Sequence, residues 1–338
     1  MKQPLVTIII PTYNQSNFII RAIQSALDQD YEKLEIIVSD DNSTDTTGNV
    51  VKNFLEENSI SNVKFSKNTS NLGITRHYHH CLLNKATGDW IINVDGDDFL
   101  MDKSFISNAI NLAAINPEIA LVFGNYCEYH EDSSKYYCYR NESHFSVLDD
   151  VEFLDLYADN KILWNHNTII YKKELAINAD FFWNSNLNKG RNDWESFLRL
   201  VVNNKVGFID TDVAAWTQHQ SNDTKKSSLS KYLSNHTIID SLHDYAILHN
   251  LNCDFITKWT SKMHYKLAHE SCVGFIKNNE YSKLLLFLIR LKENRSILIP
   301  IKIVFSIDLY LRLILSFVPS FYEELKNEVG LKHKLGVL

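Results

Sequence analysis

Short β-branched runs alternating with helical stripes fill the first 125 residues, and no other feature of the chain constrains its fold as tightly. Leu5 to Ile10 is an almost unbroken apolar run, the pattern of a strand buried on both faces. Phe18 to Leu27 places Phe18, Ile19, Ala22, Ile23, Ala26 and Leu27 along one helical stripe. Leu34 to Val38, Asn62 to Phe65 and Trp90 to Val94 read as further strands. Thr44 to Glu57 and Thr75 to Lys85 read as helices between them, the second stopped at Thr87-Gly88. Strands separated in this way by helices build a mainly parallel, Rossmann-like α/β sheet with helices on both faces. Such sheets bind ligands beyond the carboxyl ends of their strands.

After residue 125 the pattern loosens. Tyr126 to His144 is polar and tyrosine-rich without a clear period. Val147 to Asp159 reads as a helix, His166 to Tyr171 as a strand, Arg191 to Asn203 as a helix and Val206 to Ile209 as a strand. Asp210 to Ser230 reads as a polar, serine-rich loop, and the chain is helical from Leu233 onward.

With 45% hydrophobic and 22% charged residues the chain can bury a core, and a net charge of −7 argues against a nucleic-acid partner. The five cysteines are odd in number and form no CxxC pair, so neither a disulfide framework nor a zinc ribbon is expected. No signal peptide opens the sequence, and no charge-free apolar run reaches the ~18 residues of a bilayer span. A reducing, cytoplasmic setting is the expectation.

Three strand ends carry polar clusters: Pro11-Thr12-Tyr13-Asn14, Asp40-Asp41-Asn42-Ser43 and Asp95-Gly96-Asp97-Asp98. Each alone is ordinary turn chemistry, but together they place carboxylates and amides on one sheet edge. Three carboxylates in the four residues 95–98 repel one another unless a hard divalent cation accepts their oxygens. The loop is too short for an EF-hand, and a two-carboxylate site leaves positions open for a diphosphate.

The run Val6 to Asn14, then Asp40-Asp41-Asn42-Ser43-Thr44-Asp45, Asn71-Leu72-Gly73, and Ala86-Thr87-Gly88-Asp89-Trp90 leading to Asp95-Gly96-Asp97-Asp98 resembles the family-2 inverting glycosyltransferases of GT-A fold. The resemblance covers roughly residues 4–220. It implies a nucleotide-sugar-binding half over 1–125, an acceptor-binding half over 126–230, and a C-terminal helical region over 231–338. It implies that Pro11 and Tyr13 line the nucleotide, Tyr13 against the base, and that Asp41 accepts from the uracil ring NH. Arg76 stands where the family often has a nucleotide-contacting arginine. Asp95 and Asp97 match the DxD pair, Asp97 as direct ligand of Mn²⁺ or Mg²⁺ and Asp95 nearer the ribose or the metal's waters; Asp98 is assigned to cap the next helix.

Gly190-Arg191-Asn192-Asp193-Trp194-Glu195 matches the element that carries the family's general base, with Asn192 where many relatives have Glu. Asp193 is the expected base, Glu195 the alternative, and a helix cap the non-catalytic reading of Asp193. Trp216-Thr217-Gln218-His219 resembles a Tyr-Arg-x-His segment whose histidine approaches the diphosphate or metal, so His219 joins the metal set. Thr217 replaces the arginine, and Lys225 or Lys226 are candidates to supply the lost contact. In His77-Tyr78-His79-His80, His77 is expected to face the donor and the others solvent; Trp164, Trp183, Trp194 and Trp216 offer indole faces for a sugar or for the core.

The function implied is transfer of a hexose, glucose or galactose, from a UDP-sugar to a saccharide on polyprenyl diphosphate, in O-antigen or capsule assembly at the cytoplasmic face of a bacterial inner membrane. A sugar nucleotidyltransferase is the alternative, but it needs a glycine-rich basic loop after the first strand; a non-catalytic nucleotide-sugar-binding protein is the other. Residues 283–318 carry Lys283, Arg290, Lys292, Arg295, Lys302 and Arg312 against Glu293 and Asp308 amid Leu, Ile, Phe and Val. A basic amphipathic helix starting at Pro300 fits peripheral membrane attachment, and packing on the domain or dimerisation is the competing reading.

Overall fold

The computed structural model describes residues 3–141, 145–184, 189–190, 192–220, 229–278 and 280–294. Arg191, Ser221, Asn222, Lys225, Lys226 and the amphipathic segment from Pro300 lie outside them. The chain divides into two compact units, Met1–Asn222 with Tyr245–Leu251, and Asp223–Asp244 with Asn252–Leu338.

The first unit opens with β1 (Val6–Thr12), α1 (Ile19–Leu27), β2 (Leu34–Asp40), α2 (Thr47–Glu57), β3 (Val63–Lys67), α3 (Ile74–Asn84) and β4 (Trp90–Asn93). β5 (Phe99–Leu100), α4 (Phe105–Ile115), β6 (Ile119–His130), β7 (Lys135–Tyr139), β8 (Val147–Leu148) and α5 (Asp150–Ala158) follow. A 3₁₀ turn at His166–Thr168 leads into β9 (Ile169–Lys172), α6 (Lys173–Asn178), β10 (Trp183–Asn184), β11 (Lys189–Gly190), α7 (Asp193–Val201) and β12 (Lys205–Gln218). The main sheet runs β3-β2-β1-β4-β9-β6-β12-β5. β3, β2, β1 and β4 pair in parallel, as the alternating pattern dictates. β9 runs antiparallel to both β4 and β6, while β12 is parallel to β6, so the sheet as a whole is mixed.

β1 is buried along its whole length, and α1 packs Ile19, Ala22, Ile23 and Ala26 into the same core. Each such aliphatic side chain contributes about 1.5–3 kcal/mol on leaving water. At the amino ends of the strands the buried carboxylate of Glu35 accepts from Thr7 Oγ1 at 2.6 Å, Lys64 Nζ at 2.7 Å and Thr87 N at 2.8 Å. That leaves the opposite, carboxyl edge for the site.

Three expectations are corrected. Tyr126 to His130 continues β6 and Lys135–Tyr139 pairs back on it as a hairpin. Its stability comes from cross-strand rings, Tyr126 stacked on Tyr139 and Tyr129 tilted on Tyr136, not from apolar alternation. Cys127 and Cys138, register partners in that hairpin, are disulfide-bonded, a pairing that residue spacing does not show. Asp210 to Gln218 is not loop but the second half of β12, which passes register shifts between Ile209 and Ala214 and then follows β6 to His130.

The described residues of the second unit are helical. The unit draws on α8 (Leu229–Leu248), whose last turn belongs to the first unit, α9 (Cys253–Lys277) and α10 (Tyr281–Asn294). Ala268, Cys272, Phe275, Leu284, Phe287 and Leu291 form its core with Tyr232 and Leu233 against them. Among the described residues no helix is long and apolar enough to cross a membrane.

Candidate active site

The loops after β1, β2 and β4 meet at the carboxyl edge. Asn14, in the left-handed region at φ 56°, donates its N–H to Ser43 Oγ at 2.9 Å and accepts from Thr44 N at 2.8 Å through its side chain. The β1 and β2 loops are thereby fixed to each other, and Tyr13 is left on top, 45% exposed. Pro11 is buried; its carbonyl accepts from Gly96 N at 3.1 Å. It holds the acidic turn and offers no surface of its own.

Asp41 is also buried. Its carboxylate accepts from Asn68 Nδ2 at 2.9 Å, Leu72 N at 2.9 Å and Gly73 N at 2.9 Å. It anchors the loop that launches α3, where Gly73 takes φ 79°, and Arg76 is exposed on the first turn of that helix. Behind this loop, Lys85 Nζ donates to Ser39 Oγ at 2.9 Å and the Ser39 hydroxyl meets His77 Nε2 at 2.8 Å. The Ser39 hydroxyl thus lies between the ammonium of Lys85 and the imidazole of His77. Burial, then the charge of Lys85, holds the His77 pKa down to about 4. The other members of that tract are not simply exposed: Tyr78 is buried against Phe182, and His79 Nδ1 meets Phe181 O at 3.1 Å.

The Asp95–Asp98 turn is pressed against β1. A Cβ on Gly96 would lie 2.4 Å from Gln15 Oε1 and 2.7 Å from Thr12 Oγ1, so only glycine lets the turn close this far. The three carboxylates then separate into different environments. Asp97 Oδ2 meets His219 Nε2 at 2.9 Å, and the His219 ring stacks on Phe18. Burial, and then the charge of Asp95, raise the Asp97 pKa above the ordinary carboxylate range. Asp95 Oδ2 meets His166 Nε2 at 3.1 Å, while Asp95 Oδ1 is buried with no hydrogen-bond partner among the described residues. An orphaned carboxylate oxygen beside a second carboxylate whose charged form is disfavoured suits a hard divalent cation. Among the described residues Asp95, Asp98 and His166 lie close enough together to hold one cation, whereas Asp97 and His219, expected in the metal set, are paired with each other and are not part of that cluster.

Asp98 does not cap a helix. It is fully buried and accepts from Thr217 N at 2.8 Å and Asn167 Nδ2 at 3.0 Å, so it pins the end of β12 to the 3₁₀ turn; Ser104, not Asp98, precedes α4. Arg21, which no motif signals, donates to Thr217 Oγ1 at 3.1 Å and Glu131 Oε2 at 3.0 Å. Its guanidinium lies 4.6 Å from the centre of the Phe99 ring. These contacts set Thr217, and with it His219 two residues on.

The N-cap of α7 is Asn192, whose side chain accepts from Glu195 N at 2.8 Å. Asp193 is therefore the first helical residue, not the cap, and its carboxylate is half-exposed, 3.6 Å from His166 Nδ1. Glu195 is buried and pairs with Arg199 Nε at 3.2 Å. Trp164 lies among Phe123, Phe153, Tyr157 and Phe197, so it belongs to the core rather than to a sugar platform. Sequence reasoning missed His166 because it read those residues as a plain strand; the Trp-Asn-His-Asn run that makes the turn carries no period.

The family model of glycosyl transferase family 2 matches residues 7–180, more than half of the chain, and the chain belongs to that family. WfaP of Escherichia coli, a UDP-Glc:α-D-GlcNAc-diphosphoundecaprenol β-1,3-glucosyltransferase, is 34% identical over 126 residues, 37% of this chain and 46% of that protein. Staphylococcus aureus TarS 1–349 in complex with UDP-GlcNAc matches with a TM-score of 0.65 at 17% identity, over 84% of this chain and 79% of that one. The mannosyltransferase PcManGT of Pyrobaculum calidifontis, in complex with GDP-Man and Mn²⁺, matches with a TM-score of 0.56 at 16% identity, over 96% and 89%. The fold is GT-A. The chain spans less than half the length of curated relatives that it matches, such as the Haemophilus influenzae and Streptococcus pneumoniae glycosyltransferases.

Proposed function

We propose that this chain is an inverting, metal-dependent hexosyltransferase that moves glucose or galactose from a UDP-sugar to a hydroxyl of a polyprenyl-diphosphate-linked saccharide. The observation that carries the reading is that two unlike carboxylate sites meet at one histidine, His166. Asp95 and Asp97 are partly buried beside histidines after β4, and Asp193 is half-exposed at the start of α7. Mn²⁺ or Mg²⁺ bound by Asp97, Asp95 and His219 would neutralise the charge of the departing diphosphate. Tyr13 supplies an exposed ring for the nucleotide base, and Asp41 shapes the loop at that end. Asp193 takes the proton of the acceptor hydroxyl as its oxygen attacks C1 from the face opposite the diphosphate, which inverts the configuration. The E. coli relative's donor and lipid-linked acceptor support this substrate class, and the UDP-GlcNAc and Mn²⁺ complexes of the structural neighbours support the donor side and the metal.

An acceptor on polyprenyl diphosphate places the reaction at the cytoplasmic face of the inner membrane, in O-antigen or capsule assembly, with residues 283–318 as the peripheral anchor. The nucleotidyltransferase alternative lacks its loop: Tyr13-Asn14-Gln15-Ser16 follows β1. Purified full-length protein incubated with UDP-glucose or UDP-galactose, Mn²⁺ and GlcNAc-diphosphoundecaprenol should form a β-linked product. Absence of transfer from every UDP-sugar defeats the proposal. Full-length protein should also pellet with anionic vesicles and be released by high salt, while a chain ending near residue 280 stays in the supernatant; equal partitioning of the two defeats the anchor.

A further inference from the structure

The histidine between the two carboxylate sites is assigned no part in the reaction above. His166 opens the 3₁₀ turn before β9, and that turn is locked on both sides. Thr168 N and Thr168 Oγ1 donate to Asn165 O at 3.0 and 2.8 Å, and Asn167 Nδ2 donates to the buried Asp98 at 3.0 Å. The His166 side chain, 18% exposed, then reaches Asp95 Oδ2 through Nε2 at 3.1 Å and approaches Asp193 Oδ2 through Nδ1 at 3.6 Å. Asp193 is placed by the helix it begins, and among the described residues His166 is the side chain that approaches its half-exposed carboxylate. Nε2 is hydrogen-bonded to Asp95 and Nδ1 faces the Asp193 carboxylate at ion-pair distance, the arrangement by which outer-shell histidines orient the groups beside them.

We propose that His166 is a positioning residue: its imidazole bridges the donor-side carboxylate Asp95 and the base carboxylate Asp193, and sets where the base stands relative to the donor. The role rests on the function proposed above, with Asp193 as base. It adds a physical link from the sugar-nucleotide half to the acceptor half that depends on one side chain. A base displaced by about 1 Å costs about 10² in rate, so the link is worth that much in turnover.

Two amide substitutions divide the ring's functions. The amide nitrogen of Gln reaches the place of Nε2, and that of Asn the place of Nδ1. His166→Gln keeps the hold on Asp95 and releases Asp193. In full-length protein with Mn²⁺ and the UDP-sugar that the wild type turns over, kcat should fall about 10²-fold with donor KM within about twofold. His166→Asn keeps the contact to Asp193 and should recover kcat to within about tenfold of wild type. In an Asp193→Asn background His166→Gln should cost less than a further twofold, because it acts through the residue already removed; a merely structural role would multiply the two losses. The proposal is overturned if His166→Gln turns over as wild type or if the two losses multiply. It is also overturned if His166→Gln raises the Mn²⁺ half-saturation at unchanged saturating kcat, which would make His166 a metal-site residue. An inactive wild type defeats the function and this role together, and a normal Asp193→Asn defeats the base and this role. An active wild type with an indifferent His166→Gln defeats this role alone.

Discussion

Replacing Asp193 by Asn and, separately, Glu195 by Gln separates chemistry from packing at one helix start. Asp193 is the first residue of α7, with its carboxylate half-exposed and the cap supplied by Asn192. Losing one negative charge there removes about 0.3–1 kcal/mol of interaction with the helix dipole, at the lower end because water screens it. For a unit of this size that lowers Tm by only about 1–4 °C. Removal of a general base lowers kcat by about 10²–10⁴, equivalent to about 2.7–5.5 kcal/mol of transition-state stabilisation. Glu195 is the reverse. It is buried and ion-paired with Arg199, whose guanidinium also lies 4.5 Å from the centre of the Tyr245 ring. Withdrawing the carboxylate leaves a buried cation without this partner, at about 3–5 kcal/mol, or about 6–20 °C in Tm. Differential scanning fluorimetry and initial rates at saturating donor read both quantities on the same preparations, with UDP affinity as the control for the donor side. Asp193→Asn should be stable, bind UDP and turn over poorly; Glu195→Gln should be unstable. A Glu195→Gln protein that melts as wild type and does not turn over would refute the assignment and make Glu195 the base.

Chelation should abolish transfer, and Asp97→Ala should do so with Mn²⁺ present; full rates in excess EDTA contradict the metal site. Asp98→Ala strips the acceptor from two buried donors, Thr217 N and Asn167 Nδ2, at about 1–3 kcal/mol each. Tm should fall by at least about 4 °C, and unchanged melting contradicts the pinning role. His77 titrates at about 4 in the folded chain, below its ordinary 6.5. As pH falls below 6.5 the unfolded chain takes a proton that the folded one refuses, so stability is lost downward through that window. Between pH 7 and pH 5 the loss is about 2 kcal/mol, and His77→Gln, which does not titrate, should lower the pH dependence of the unfolding free energy by about that amount.

Sequence determined the architecture of residues 6–93 almost completely. Strands buried on both faces and helices with one apolar stripe have distinct periods, so β1 to β4 and α1 to α3 fall within a few residues of where the pattern puts them. The acidic turn after β4 and the polar turns after β1 and β2 were legible for the same reason, since each is local and follows a strong strand. Tertiary structure decided what each carboxylate does. Asp95, Asp97 and Asp98 are neighbours in sequence, yet their partners come from residues 166, 219, and 167 with 217. Asp41 is occupied by the loop at residues 68–73, and Asn192 takes the cap that would have idled Asp193. The tyrosine hairpin and its cysteine pair, Arg21 beneath Thr217 and His166 between Asp95 and Asp193 likewise carry no periodic signal. They depend on contacts between residues far apart in the chain, and the register that brings those together is fixed only when the sheet has formed.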